Sequence, residues 1–327
     1  MNTIKEKREG AFYELGITSS EAGLLKTLLY FDIFSYPLRA CEVFRAQPDE
    51  AMTLEKTQIA LDQFRQQGLI QKEGDFFGFG NLKEKAPRRE KGNQLAAEQM
   101  QVAKKRSQFI ASFPFVRGVM VSGSLSKEFM DEKSDIDFFV VTKPGRLWLA
   151  RTFLILYKKI FLLNSHKTFC MNYFIDEDHL EIEDKNIFTA TEVAFLIPTI
   201  NQKLYTSFRG ANGWTDAYYP KFKDRGSDAI VEGRGQRRKR FSEWLFSGFI
   251  GEKIDQYFLR ITLKRWQKKF DHMTPEHFEV ALRSRQYVSK HHPSNYQAFV
   301  MEKLGKSWDE LAEQLKEGHQ KNKEVSE

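Results

Sequence analysis

Apolar residues recur at helical spacing in three short stretches near the start of the chain. Leu24, Leu25, Leu28 and Leu29 follow Ser19 and Ser20, two capping residue types, and predict a first helix. Pro37 separates it from a second, short helix over 39–45. Thr53 caps a third over 54–67, with Ile59, Leu61 and Phe64 turned inward and Gly68 as its stop. Two short apolar segments then flank Glu73, Gly74 and Asp75, a hairpin signal. The charged stretch 82–92 reads as a linker, and 93–113 as a helix that ends before Pro114.

From Val116 the period changes. Residues 116–121 and 136–141 are short apolar strands, 147–163 is an amphipathic helix and 168–175 a third strand. Strands alternating with helices predict an α/β (α+β) architecture around a small mixed sheet. Beyond residue 186 the pattern is mainly helical, interrupted by a Gly/Arg-rich loop over 221–240. The helix after that loop carries Ile254, Phe258 and Ile261 on one face. The expected division is therefore 1–90, 91–185 and 186–327, the last mainly helical.

The order of three helices and a hairpin resembles a winged-helix domain, a fold often used to read DNA. The third helix would enter the major groove. Its Glu55, Lys56, Gln58, Asp62, Arg65 and Gln66 balance in charge, whereas a DNA reader is basic. Protein docking or packing within the chain is the expected use, and nucleic acid is a weakly supported partner.

A chain of 327 residues has room for two or three domains. With 41% hydrophobic residues and 29 Phe it is not a disordered polymer. Lys and Arg number 51 against 44 Asp and Glu, a net charge of +7. The excess sits in clusters: around Lys83 to Lys91, at Lys104, Lys105 and Arg106, and at Arg234 and Arg237 to Arg240. Either an anionic partner or solvated loops would account for these. Cys41 and Cys170 form neither a CxxC pair nor a Cys/His cluster, which argues against a disulfide framework or a zinc site and fits a cytoplasmic setting. The first ten residues have no apolar signal segment. The most apolar window, 147–163, contains Arg151, Lys158 and Lys159, so no spanning helix and no membrane partner is expected.

The chemistry concentrates in 118–141. A strand ends in Gly123-Ser124, a spacer follows, and a second strand opens on Asp135-Ile136-Asp137. Residues two apart on a strand share a side, so the two carboxylates stand together. Adjacent carboxylates repel unless a cation lies between them, and a hard divalent ion such as Mg²⁺, shared with nucleotide phosphates, would supply that charge. Gly123 permits close backbone approach to a phosphate, and Ser124 offers a hydroxyl and an N–H at the start of the next helix.

A hydrophobic strand, Gly-Ser, a spacer and Asp-x-Asp in a second strand resemble the nucleotidyltransferase superfamily related to DNA polymerase beta. The similarity covers about 95–180, and Ser134-Asp135-Ile136-Asp137 is one of the family's more specific phrases. The resemblance implies transfer of a nucleoside monophosphate from an NTP, with ATP expected, to an unknown acceptor, and release of pyrophosphate. Asp135 and Asp137 would be the catalytic metal ligands for Mg²⁺ or Mn²⁺, while Gly123, Ser124 and Ser126 would hold the nucleotide. Lys143, Arg146 or Arg151 would neutralise developing charge, unless Lys143 and Arg146 are simply loop residues. The chain departs from the family in three places. Leu125 and Glu128 stand where many members carry Arg and Gly, and Asn172 stands where a third carboxylate would activate the acceptor. An amide is no general base, so Asp176, Glu181 and Glu183 are the candidate substitutes and the base stays unassigned. The alternative is a nucleotide-binding regulatory protein that has lost turnover.

Weaker signals are Glu192, Asn212 and Trp214, read as acceptor-pocket lining or as caps and packing. The Arg285 to His291 spacing resembles helical ribonucleases but also reads as a helix end. The basic run 234–240 would grip phosphates if it is not simply a loop.

Overall fold

The computed structural model describes residues 17–163, 167–222, 230–231 and 235–326, with the backbone alone at 236 and 318–326. These residues form two compact units. One takes in the described residues up to Lys91, 215–222 and the chain from Gln297 on. The other takes in Gly92–Trp214 and the described residues from there to Tyr296. The expected boundary at 90/91 sits beside the break at Lys91, whereas 186–327 is shared between the two units.

The first unit begins with α1 (Ser19–Asp32), β1 (Leu38–Arg39), α2 (Ala40–Ala46) and α3 (Leu54–Gln66). The hairpin β2 (Gln71–Glu73) and β3 (Phe76–Gly78) follows. The strands pair antiparallel in the order β1-β3-β2. Thr18, one residue ahead of the expected caps, starts α1. Its hydroxyl accepts from the Glu21 amide at 3.3 Å, and Glu21 Oε2 accepts from the Thr18 amide at 2.8 Å. On α3 the buried stripe is Thr57, Ala60, Leu61 and Phe64, while Ile59 faces out. The stripe follows the 3, 1, 3 spacing of one helix face, and Ile59 lies off it.

The expected linker 82–92 is instead the start of α4 (Leu82–Ala111), a continuous helix that carries Pro87 inside it. Its charges are anchors. Lys85 Nζ meets Asp32 Oδ1 at 2.5 Å, and the buried Arg89 meets Glu42 Oε1 at 2.7 Å and the Tyr36 hydroxyl at 2.5 Å. These contacts offset the backbone bond that the Pro87 ring removes.

The second unit is built on a six-stranded mixed sheet, ordered β7-β4-β5-β6-β9-β8. Its strands are β4 (Val116–Ser122), β5 (Asp137–Thr142), β6 (Cys170–Asp176), β7 (Ile197–Ile200), β8 (Ser284–Arg285) and β9 (Val288–Lys290). Only β5 and β6 are parallel, joined by α5 (Leu147–Phe161). Alternation along β5 divides the core. Phe138 and Val140 join Ile110 of α4 and Trp148 and Leu154 of α5 on one face. Phe139 and Val141 join Val193 of α6 (Ile187–Ala194) and Tyr205 and Phe208 of α7 (Gln202–Ala211) on the other.

Three short strands, β7 to β9, lie in the region expected to be mainly helical. At two to four residues each, none displays a readable period. Pro198 is tolerated because β7 is the sheet edge. The loop expected over 221–240 is already helical from 236, in α8 (Gln236–Leu245), which leads into α9 (Phe249–Lys269). Ile254 and Phe258 of α9 pack on Phe115, Leu149 and Ala150. Asp255, 1% exposed, accepts from the Leu149 amide at 2.8 Å and so caps α5. Asp255→Ala is expected to cost about 2 kcal/mol, because it strands buried amides at the helix start. Urea denaturation at neutral pH measures this, and an unchanged midpoint would show the cap to be idle. The chain continues through α10 (Pro275–Leu282) and ends in α11 (Tyr296–Ser326). No described helix is long and apolar enough to cross a membrane.

Candidate active site

The last residue of β4, Ser122, pairs with Asp137 at the start of β5, which in turn pairs with Cys170 at the start of β6. Three strand ends thus meet in one row. Ile136 is fully buried, and its carbonyl accepts from the Cys170 amide at 3.2 Å while its amide donates to Lys167 O at 3.0 Å. Anchoring Ile136 in the core leaves the half-buried Asp135 and Asp137 on either side of it.

Gly123 turns the chain over these carboxylates with φ +65°. A Cβ here would lie 2.3 Å from Asp137 Oδ2. Glycine is needed both for the left-handed backbone and for the approach. The expected helix after Ser124 is only a single 3₁₀ turn, Leu125–Lys127, and Glu128 closes it at φ +59°. The backbone at 128 is therefore in the left-handed region that favours glycine, and holding Glu128 there costs about 1 kcal/mol. The buried Ser126 hydroxyl donates to Gly123 O at 2.8 Å, so it supports the turn. Lys127 Nζ donates to the same carbonyl at 3.0 Å and to Glu192 Oε1 of α6 at 2.9 Å.

Asp137 is the electrostatic centre. Burial pushes its carboxyl up to about 6, and the negative charges of Glu192 and Asp135 add to that. The Cys170 hydrogen bond and the Lys127 charge oppose it. Asn172 Nδ2 donates to Asp137 Oδ1 at 2.8 Å, and Asn172 Oδ1 accepts from Cys170 Sγ at 3.2 Å. The thiol remains a donor because burial, with Asp137 beside it, pushes it up to about 12.

Several expected residues lie elsewhere. Because β6 runs parallel to β5, Asp176 pairs with Thr142 at the far end, about 16 Å along the strand from the Asp137 row. It is held there by His179 Nδ1 at 2.7 Å. Glu183 is tied to Arg285 at 2.8 Å, and Glu181 to Lys185 at 2.6 Å. Lys143 and Arg146 follow that far end of β5. Arg146 instead donates to the carbonyls of Phe246, Ser247 and Gly248. Arg151 stacks between the rings of Trp148 and Trp266, 5.4 and 4.9 Å from their centroids. Asn212 is buried and bridges the Ile182 amide and Leu180 O, with Trp214 Nε1 donating to it, so both are packing groups. Arg285 ends β8 and His291 follows β9, so the two share no helix, which removes the ribonuclease-like arrangement. The residues missed by sequence reasoning are Lys127 and Cys170. Glu192, expected as pocket lining or as a cap or packing residue, adds its charge to Asp137, and nothing local in the sequence ties α6 to β5.

Among the described residues no group of three or more His, Cys, Asp or Glu could hold a metal by itself. Two carboxylates with a neighbouring third charge still fit Mg²⁺, which binds through one or two carboxylates and completes its shell with phosphate oxygens and water. The Asp137 carboxyl is raised first by burial and then by the charges of Glu192 and Asp135, and a cation here would relieve both.

A family model for the nucleotidyltransferase domain matches residues 102–203, from the second half of α4 to the start of α7. No curated protein and no solved structure matches the chain.

Proposed function

We propose, from the membership of residues 102–203 in the nucleotidyltransferase family, that this protein moves a nucleoside monophosphate from an NTP to an acceptor hydroxyl. The observation that carries the reading is the geometry around Asp137, which the Gly123 turn covers so closely that a Cβ there would meet its Oδ2 at 2.3 Å, and whose carboxyl is raised by burial first and then by Glu192 and Asp135. Asp135 and Asp137 would hold Mg²⁺, which when bound neutralises phosphate charge and orients the triphosphate. Gly123 and Ser124 meet the β- and γ-phosphates, and Ser126 braces their turn. The acceptor oxygen bonds to the α-phosphorus, the bond from that phosphorus to the bridging oxygen breaks, and pyrophosphate leaves. The proton goes to Glu192, the carboxylate near Asp137 that α6 supplies and Lys127 orients.

A nucleotide-binding regulatory protein without turnover is the second reading. The Asn172 amide bound to Asp137 favours it, because it occupies the place of a third carboxylate with a group that takes no proton.

The test is incubation of the pure chain with each labelled NTP and Mg²⁺, following pyrophosphate release and label transfer to the protein or to cell extract. Transfer is expected, and Glu192→Gln is expected to lower it about a hundredfold or more while nucleotide affinity is kept. Binding without turnover would establish the regulatory reading. Absence of binding would remove both, and a fully active Glu192→Gln would return the base to another group.

A further inference from the structure

We propose that α8 and the exposed side of α9 form a surface that docks onto an anionic lipid bilayer, lying in the plane of its headgroups. For a helix surrounded by water, α8 is inside out. Its inward side is polar. Lys239 Nζ donates to Ala111 O at 2.9 Å and Val116 O at 2.6 Å, and Glu243 Oε1 accepts from the Phe115 amide at 2.7 Å and from Arg117 at 2.8 Å. Its outward side carries three large apolar groups, Phe241 66%, Trp244 71% and Leu245 57% exposed, interleaved with exposed arginines. Water alone selects the opposite orientation.

The first turn of α9 extends the same character. Phe249 and Ile250 are both 71% exposed, and Tyr257, seven residues after Ile250 and so on its face, is 60% exposed. Arg146 fixes this apolar corner by donating to the three carbonyls between the helices, while Phe246 turns inward onto Phe153 at 5.8 Å. Cations surround it. Arg237, Arg238 and Arg240 on α8 and Lys253, Arg260 and Lys264 on α9 are exposed, whereas Glu252 is the exposed acid of these two helices among the described residues.

Charge complementarity selects the occupant. A second copy of this chain would set arginines against arginines. A nucleic acid would satisfy the cations, since phosphate contacts need only charge, but it would leave Leu245 and Ile250 nothing apolar to meet. An anionic bilayer takes both classes, with Trp244 and Phe249 at the acyl boundary and the arginines among the headgroups. The absence of a spanning helix does not bear on this, because an interfacial helix needs no span.

The experiment uses the full chain with vesicles of phosphatidylcholine alone and of phosphatidylcholine mixed with phosphatidylglycerol, read by co-sedimentation. Binding to the mixed vesicles, weak binding to the neutral ones and loss with added salt are expected. Trp244→Ser with Phe249→Ser is expected to reduce partitioning about tenfold or more. Arg237→Ser with Arg238→Ser and Arg240→Ser is expected to erase the preference for phosphatidylglycerol. All five side chains are exposed, and an unchanged thermal melt confirms the fold of each variant. Three results would overturn the proposal: no partitioning of the wild-type chain into either vesicle, binding to single-stranded RNA in place of vesicles, or a wild-type dimer that Trp244→Ser dissociates without any vesicle binding.

Discussion

Asp137→Asn is expected to yield a protein that is more stable than the wild type at pH 8 and has no measurable turnover. Burial and the neighbouring charges of Glu192 and Asp135 lift this carboxyl from 3.8 to about 6. Its folded pKa exceeds its unfolded one, so between those values the folded state binds the extra proton. Stability is therefore highest below about pH 4 and falls as pH rises through 6, with a deficit of about 3 kcal/mol at pH 8. In metal-free buffer at pH 8 the variant should melt several degrees higher, and the two proteins should converge towards pH 4. Added Mg²⁺ and NTP should raise the melting temperature of the wild type and leave the variant unmoved. On the proposed reading turnover should fall by about three orders of magnitude, since Asp137 would no longer be there to hold a counter-ion for the triphosphate. A variant with the same melting temperature as wild type at pH 8 would show that the charge is not strained. Retained turnover would take Asp137 out of the site.

The second large effect is expected from Gly123→Ala. A methyl group at this position would sit 2.3 Å from Asp137 Oδ2 and 3.1 Å from its Cγ. The backbone at φ +65° costs alanine a further 1 kcal/mol or so. The turn cannot simply swing away, because its carbonyl is held by Ser126 and Lys127. The Asp137 carboxylate must then rotate out of its row, and turnover should drop about a hundredfold with a stability loss of about 2 kcal/mol. The same change in an Asp137→Ala background should cost only the backbone share, about 1 kcal/mol, because the clashing group is absent. Equal losses in the two backgrounds would place the cause in the backbone alone.

The two predictions share a physical origin. A carboxylate is kept half-buried beside other negative charges, which lowers stability in the free protein, and on the proposed reading a cation would relieve that cost. Sites of this kind commonly trade stability for function. The Asn172 amide moderates the strain by donating to Asp137 Oδ1, and Lys127 does so through its charge.

Periodicity in the sequence alone determined the elements that frame the candidate site. The apolar runs around Val119 and Phe138 specify two strands, and Gly123-Ser124 and Asp135-Ile136-Asp137 mark their facing ends. Buried Ile136 with polar neighbours on either side is enough to place both carboxylates on one side. These are local matters, set by which residues meet a core and which backbone a glycine allows. Tertiary structure decided the rest. That β6 is a strand is legible in 168–175, and the resemblance already set Asn172 in the place of a third carboxylate; the register of the parallel pairing is not legible, and it puts Asn172 in contact with Asp137 and Asp176 at the far end. Glu192 reaches the site because α6 packs across the sheet, a contact made over more than fifty residues of chain. The strands β7 to β9 are too short to show alternation and exist through their partners. The reversed polarity of α8 becomes visible only once Lys239 and Glu243 are seen facing the protein, since a sequence shows that a helix has two faces and not which one is turned inward.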